Sequence, residues 1–142
     1  MSMLQAKGIL HFTISCRDHA KSAELYRDLL GCEILRISDK FAFMQCGTQH
    51  FVLWGTRDHV APQPPDGTKF HHAFIVSPQD FDRARGEIER RGFRILKYED
   101  AGHRSFPGRH LYFHDYDGNG IELFDGEAHE EHAATAAKQA VK

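Results

Sequence analysis

The sequence has no excess of charge of either sign and no long apolar run. Its 142 residues carry 18 Lys and Arg against 20 Asp and Glu, which gives a formal net charge of −2. Proteins that bind a nucleic-acid backbone usually carry a basic stripe, and this chain has none. Its longest apolar stretches fall far short of the roughly 20 residues that cross a bilayer. We therefore expect neither a nucleic-acid partner nor a membrane partner.

Cysteine is also scarce. The chain has three, Cys16, Cys32 and Cys46, and none of them forms a CxxC motif. An odd, scattered set predicts reduced thiols in a cytoplasmic protein rather than a disulfide framework. The first ten residues lack the basic start and apolar run of a secretory signal, which leads to the same expectation. Histidine, by contrast, is abundant, with 11 residues that need an explanation.

The first half of the chain predicts a strand, a helix and a strand. The segment from His11 to Cys16 alternates between apolar and polar residues, as a short strand does. Asp18 can cap the helix that follows, and Gly31 can end it. The segment CEIL, residues 32–35, then predicts a second strand.

The second half of the chain repeats this order. The segment from His71 to Val76 again predicts a strand, and Ser77 with Pro78 has the composition of a helix start. Gly92 is the predicted helix end, followed by the segment FRIL, residues 93–96. GCEIL after the first helix therefore matches GFRIL after the second, which indicates an internal repeat.

Each half continues into two further predicted strands, at 41–45 and 50–54 in the first and at 111–114 and 121–124 in the second. The predicted fold class is α+β, with two tandem βαβββ modules that form a curved mixed sheet around a central concave metal site. We assign one domain, 1–142, that comprises a first module at 8–54, a linker at 55–70, a second module at 71–125 and a tail at 126–142.

Three residues of metal-binding type stand at matching places in this repeat. His11 and His71 begin the first strand of each half, and Glu122 lies on the last strand of the second half. Two imidazoles and one carboxylate from separate strands suit a facial triad that leaves positions open for substrate. His72 competes with His71, because neighbours on a strand face opposite sides. The match with His11 favours His71, although a duplicated structural histidine would give the same pattern.

A sequence with these candidate ligands resembles the vicinal oxygen chelate superfamily. This superfamily includes glyoxalases, fosfomycin-resistance thiol transferases, bleomycin-binding proteins and extradiol dioxygenases. The resemblance rests on LHFTISC, HHAFIV and YFHDYDGNGIEL and covers about residues 8–125, with Tyr116 where the usual motif has Pro. It implies that His11, His71 and Glu122 bind a divalent metal. Members of one-domain length usually pair as homodimers and often build each metal site from two subunits, so the resemblance implies a homodimer. His11 then comes either from the same chain as the other two ligands or from its partner.

Two features select a chemistry within the superfamily. Val52 aligns with Glu122, at a place where glyoxalase I–like members carry a second carboxylate, so glyoxalase chemistry is disfavoured. His103 and Tyr112 resemble the histidine and tyrosine of catechol-cleaving extradiol dioxygenases, one to move a proton and one to donate a hydrogen bond. The main prediction is therefore an Fe(II)-dependent extradiol-type dioxygenase that acts on a small catechol-like substrate. Fe(II) is the favoured metal, and Mn, Ni, Co and Zn are also compatible.

Alternative functions stay open at this point. One is a metal-dependent thiol transferase or lyase, or a glyoxalase-like enzyme, that acts on a small oxyanion or epoxide. Arg104, Arg109 and Lys69 are candidate residues for holding the anion. A single unit of this length is commoner among thiol transferases and small binding proteins than among ring-cleaving enzymes. The other is a resistance protein that binds a small-molecule drug. Such proteins commonly lack the metal triad, so metal content distinguishes the two.

Overall fold

The computed structural model describes residues 3–101 and 105–127, and it divides the chain into two compact units, Met1–Val60 and Ala61–Lys142. Each unit contains one helix and one four-stranded sheet. Neither helix of the described chain has the length and apolar character that crossing a bilayer would take. The elements are β1 (His11–Cys16), α1 (His19–Leu30), β2 (Glu33–Ile37), β3 (Phe41–Cys46), β4 (Gln49–Gly55), β5 (His71–Val76), α2 (Pro78–Arg90), β6 (Lys97–Glu99), β7 (His110–His114) and β8 (Gly120–Asp125).

In the first unit, the strand order is β1-β4-β3-β2, with β1 parallel to β4 and the other pairs antiparallel. Asp18 caps α1 by accepting a hydrogen bond from the backbone N–H of Lys21 at 3.0 Å. Gly31 ends the helix with a left-handed φ of 70°, which glycine adopts without a steric penalty. The buried side chains between helix and sheet include Ile14, Cys16, Ala23, Leu25, Tyr26, Ala42, Met44, Phe51 and Leu53.

The second unit has the same topology, with strand order β5-β8-β7-β6. Ser77 caps α2 by accepting a hydrogen bond from the backbone N–H of Asp80 at 3.1 Å, and Pro78 occupies the first turn. One face of the sheet packs against the apolar stripe of the helix, as an amphipathic helix on a sheet requires. This core includes Phe74, Phe81, Ala84, Ile88, Leu111, Phe113, Ile121 and Leu123. In β7 and β8 residues of the other face are buried as well.

The two tandem βαβββ modules, and with them the α+β class, are therefore confirmed. The strand register also agrees with the alignment of the halves. Thr13 is the partner of Val52 between β1 and β4, and Ala73 is the partner of Glu122 between β5 and β8. Val52 thus occupies the place in the first sheet that Glu122 occupies in the second.

One predicted strand is wrong. The segment 93–96 is not a strand; β6 begins at Lys97 and is short. The backbone N–H of Phe93 still bonds to the carbonyl of Ile88 at the end of α2, and the segment joins β7 only where Leu96 N–H bonds to the Tyr112 carbonyl. The helix end therefore holds the first part of the segment away from the sheet. Residues 128–142 of the predicted tail lie outside the described residues.

Candidate metal centre

The candidate centre lies on the face of the second sheet that α2 does not cover. Side chains alternate between the two faces of a strand, so His71 lies opposite to His72. His72 is half-buried towards the helix side, where burial and the neighbouring His71 lower its pKa. His71 instead shares a face with Tyr112 and Glu122 of β7 and β8.

His71 and Glu122 face each other directly. Nε2 of His71 is 3.4 Å from Oε2 of Glu122, and the glutamate is only 7% exposed. Nδ1 of His71 lies 2.7 Å from the carbonyl oxygen of Thr68. A carbonyl only accepts, so Nδ1 carries a proton and donates it. In the neutral ring, the lone pair is consequently on Nε2, the nitrogen that points at the carboxylate.

Tyr112 completes the cluster. It is the cross-strand partner of Glu122, and its ring meets the His71 ring edge-on, with centroids 5.0 Å apart. Burial raises the pKa of its phenol well above the ordinary value, and the hydrogen bond to Glu122 raises it further. The phenol is therefore protonated at neutral pH, and its O–H donates a hydrogen bond to the carboxylate of Glu122.

These three side chains open onto a cavity of about 440 Å³. This volume is within the range of small-ligand sites. Among the described residues that line it, only His71, Tyr112 and Glu122 carry polar side chains, and none is a Lys or an Arg. The lining consists of His71, Ala73, Ile75, Phe106, Tyr112, Glu122 and Phe124.

The donor set fits a metal ion. An imidazole nitrogen and a carboxylate oxygen each bind a divalent ion such as zinc at about 2.0 to 2.2 Å, so two of them on one ion stand about 3 Å apart. The 3.4 Å between the His71 and Glu122 atoms is close to that separation. The hydrogen bond from Nδ1 to a backbone carbonyl is the usual second contact of a metal-binding histidine. Within either unit, however, the described residues contain no group of three His, Cys, Asp or Glu side chains placed to hold an ion.

A loop before β5 positions His71, and it was predicted only as a linker. The Gln63 side chain donates to the Phe70 carbonyl at 2.8 Å and accepts from the Phe70 N–H at 3.1 Å, so it closes the loop that presents Thr68. Gly120, the partner of His71 in the sheet, makes room for this loop. A Cβ there would lie 2.2 Å from the Phe70 carbonyl oxygen. Composition alone gave no signal for this role of Gln63, because its partner is defined only by the folded loop.

The other predicted site residues lie elsewhere. His11 begins β1 in the first unit, where it is exposed and is the sheet partner of His50. His103 and Arg104 lie outside the described residues. Of the other candidate anion-binding residues, Arg109 is already engaged, because its guanidinium bridges Asp82 and Asp125. Lys69 is not among the described residues that line the cavity.

His110 is a buried histidine next to the cluster, and the sequence predicted no partner for it. Nε2 of His110 lies 2.8 Å from a carboxylate oxygen of Glu99, and Nδ1 lies 3.1 Å from the Gly108 carbonyl oxygen. Its ring meets the Tyr112 ring edge-on. The pairing across β6 and β7 accounts for a polar side chain that is almost fully buried.

Several known proteins are similar to this chain in sequence or fold. The chain is 33% identical to the metallothiol transferase FosB of Staphylococcus haemolyticus over 123 residues, 84% of each chain. It is 32% identical to the glutathione transferase FosA of Serratia marcescens, over 87% of this chain and 83% of the relative. A crystal structure of a mutant of the fosfomycin resistance protein FosX of Listeria monocytogenes, with Mn(II) and 1S,2S-dihydroxypropylphosphonic acid, shares the fold at a TM-score of 0.71. It is 21% identical, and the match covers 86% of this chain and 92% of that one.

The family assignment rests on most of the chain. The sequence model of the Glyoxalase/Bleomycin resistance protein/Dioxygenase superfamily matches residues 8–123, which include both βαβββ modules up to β8. This confirms the resemblance that the three motifs indicated. The chain therefore belongs to the Glyoxalase/Bleomycin resistance protein/Dioxygenase superfamily.

Proposed function

We propose that this chain is a metal-dependent thiol transferase that joins a thiol to a small electrophile. The observation that carries the proposal is the pair of His71 and Glu122, which presents two metal-type donors to a cavity in a chain 33% identical to a metallothiol transferase. The relatives favour this alternative over the dioxygenase that the spacing of His103 and Tyr112 predicts. They give no support to Fe(II). Because the FosX crystal contains Mn(II), Mn(II) is the first metal to test.

In this proposal, His71 and Glu122 bind a divalent cation with His11 as the third ligand. Neither unit holds a three-residue group of such donors among its described residues, so His71 and Glu122 need a third ligand that the described residues of the second unit do not supply. His11 would be supplied by the same chain or by the partner in the expected homodimer. The bound cation would act as a Lewis acid that polarises an oxygen of the substrate.

Tyr112 would hold Glu122 in place and supply a hydrogen bond. Its raised pKa keeps the phenol protonated at neutral pH. In the free protein, the hydroxyl donates to the carboxylate of Glu122 and fixes its orientation. A substrate oxygen that enters next to Glu122 can accept from the same hydroxyl, so this proton is available where negative charge develops.

The cavity favours a small substrate with an apolar part and a polar end. Ala73, Ile75 and Phe124 form an apolar wall beside the His71–Glu122 pair. For an epoxide, the thiolate sulfur bonds to a ring carbon, the ring C–O bond breaks, and the oxygen takes a proton to give a hydroxy thioether. No Lys or Arg is among the described lining residues, so the bound cation would balance negative charge on the substrate.

The test is thiol addition by the reconstituted full chain. The protein is stripped with a chelator, loaded with Mn(II), and incubated with fosfomycin and either glutathione or L-cysteine, and the adduct is measured by mass spectrometry. We expect adduct only with the metal present. His71→Gln should abolish it, and His72→Gln, which changes the neighbour on the helix side, should retain it.

Two outcomes would contradict the proposal. Ring cleavage of catechols in air after anaerobic loading with Fe(II), without any thiol adduct, would restore the dioxygenase prediction. Tight binding of the drug by metal-free protein, with no turnover under any condition, would indicate the drug-binding alternative.

A further inference from the structure

Two thiols stand opposite each other at one end of the first sheet. β2 and β3 are antiparallel, with Glu33 opposite Gln45. One step further along this register, Cys32 lies opposite Cys46. Cys32 follows the left-handed Gly31 that ends α1, and Cys46 is the last residue of β3. The two side chains are hydrogen-bonded to each other.

This placement suits a disulfide without movement of the backbone. Residues opposite each other on antiparallel strands have Cα atoms about 4.5 to 5.5 Å apart. A disulfide needs a Cα separation of about 4.4 to 6.8 Å. The third cysteine, Cys16, is fully buried in β1, and its sulfur lies 3.5 Å from the Trp54 carbonyl oxygen. It provides an internal control for reactivity.

A dithiol site needs one cysteine that attacks a disulfide and a second that resolves the mixed disulfide. The two thiols differ in the properties that these steps require. Cys46 is half-exposed, whereas Cys32 is buried. The hydrogen bond from Cys32 lowers the pKa of Cys46 to about 7. That hydrogen bond, together with burial, raises the pKa of Cys32 far above its ordinary value. A thiol whose pKa lies near ambient pH is the most effective attacker in thiol–disulfide exchange. Cys46 is therefore suited to attack first.

We propose that Cys32 and Cys46 form a redox-active dithiol site that reduces small disulfides and closes to an intramolecular disulfide. The Cys46 thiolate attacks one sulfur of a disulfide RSSR, forms a mixed disulfide and releases RS⁻. The Cys32 thiol gives up its proton and attacks Sγ of Cys46, which breaks the mixed bond and releases the second RS⁻. In total, two electrons pass from the cysteines to RSSR, and two RSH form after protonation.

The structure also accounts for the order of these steps. In the resting pair, the protonated thiol of Cys32 donates a hydrogen bond to the Cys46 thiolate, and this hydrogen bond raises the Cys32 pKa. In the mixed disulfide, Cys46 carries no negative charge, so this cause of the raised Cys32 pKa is removed. Cys32 then lies beside the sulfur that it must attack, while its burial excludes a second RSSR molecule.

The proposal concerns residues of the first unit and does not rest on the proposed transferase function. The full chain, reduced and freed of reductant, is treated with hydroxyethyl disulfide, quenched with acid, and digested with trypsin under non-reducing conditions. Trypsin cleaves after Arg36 and Lys40, so Cys32 and Cys46 fall in different peptides. Mass spectrometry then distinguishes a linked pair of peptides from a single adduct.

We expect wild-type protein to yield the linked Cys32–Cys46 peptides and to return to the dithiol with dithiothreitol. Cys32→Ser should stop at a stable adduct on Cys46, Cys46→Ser should form neither product, and Cys16→Ser should behave as wild type. The proposal is overturned if wild type keeps a stable adduct, links other cysteines or does not react. It is equally overturned if Cys46→Ser reacts as wild type does. The result for wild-type protein tests the proposal even if a variant fails to fold.

Discussion

The imidazole of His71 faces Glu122 with Nε2 3.4 Å from Oε2, while on its other side Nδ1–H donates to the Thr68 carbonyl at 2.7 Å. The contact with Thr68 fixes the tautomer and the orientation of the ring, so the Nε2 lone pair points towards Glu122. The loop that presents Thr68 is therefore as much a part of the proposed metal centre as the strand that carries His71. Changes to His71 or to this loop should accordingly alter metal affinity or stability.

His71→Gln should weaken binding of Mn(II) more than any change outside the ligands does, by more than about 100-fold. The reason is that the substitution removes the one nitrogen that faces Glu122. Isothermal titration of the chelator-stripped protein measures the affinity. His72→Gln is the matched control and should bind as wild type does. Equal losses in the two variants would refute the assignment of His71.

Gln63→Ala should lower Mn(II) affinity by about 10-fold, the effect typical of residues that orient a metal ligand. The change removes both hydrogen bonds to the Phe70 backbone, so Thr68 no longer holds Nδ1 of His71 in one place. Gln45→Ala is the control, because Gln45 makes an exposed hydrogen bond in the first unit. Unchanged affinity in Gln63→Ala, with the fold intact by circular dichroism, would remove Gln63 from the site.

Gly120→Ala should destabilise the protein by about 1 to 3 kcal/mol, the usual cost of inserting a methyl group where there is no room. The new Cβ would stand 2.2 Å from the Phe70 carbonyl oxygen, which belongs to backbone and cannot rotate away. Gly86→Ala in α2 is the control and should stabilise by up to about 1 kcal/mol, because alanine favours the helix and its nearest neighbour lies at 3.5 Å. Urea unfolding measures the free energy of unfolding of both variants. A Gly120→Ala variant as stable as wild type would show that the loop can shift.

Alkylation of Cys46 by iodoacetamide should reach half of its maximal rate near pH 7. The thiolate is the reactive form, so the rate falls as pH drops through the pKa of about 7 and is level above it. Cys32→Ala removes the hydrogen bond to Cys46 and should move the midpoint towards the ordinary thiol pKa. Rates for the peptide that contains Cys46 are followed by mass spectrometry. A midpoint above about pH 8 in wild type, the range of an ordinary thiol, would contradict the lowered pKa.

Much of the fold was predictable because its signals are local. Asp18 and Ser77 mark helix starts, because each side chain accepts a hydrogen bond from the backbone N–H three residues later. The strand from His71 to Val76 has the predicted bounds. The segment 93–96 was predicted wrongly for the opposite reason. It matches the strand segment CEIL of the first half, but its backbone follows the end of α2 before it reaches β7.

Part of the candidate site could also be foreseen. His71 and Glu122 follow from the repeat and from the motif near the end of the chain, and alternation along β5 separates His71 from His72. Gln63 and Thr68 could not be foreseen, because they act through hydrogen bonds that exist only once the loop has closed. The same holds for the thiol pair, since Cys32 and Cys46 meet only through the register of β2 and β3.

Periodicity and capping residues are properties of short segments, and together with the internal repeat they were enough to predict two βαβββ modules and the residue types of a candidate metal site. The superfamily came from the resemblance that three short motifs carry. Tertiary contacts decided which nitrogen of His71 faces Glu122, how the loop with Gln63 holds it, and which two cysteines face each other. Those outcomes depend on distances between residues that are far apart in the chain, and packing and strand register set such distances after the local elements have formed.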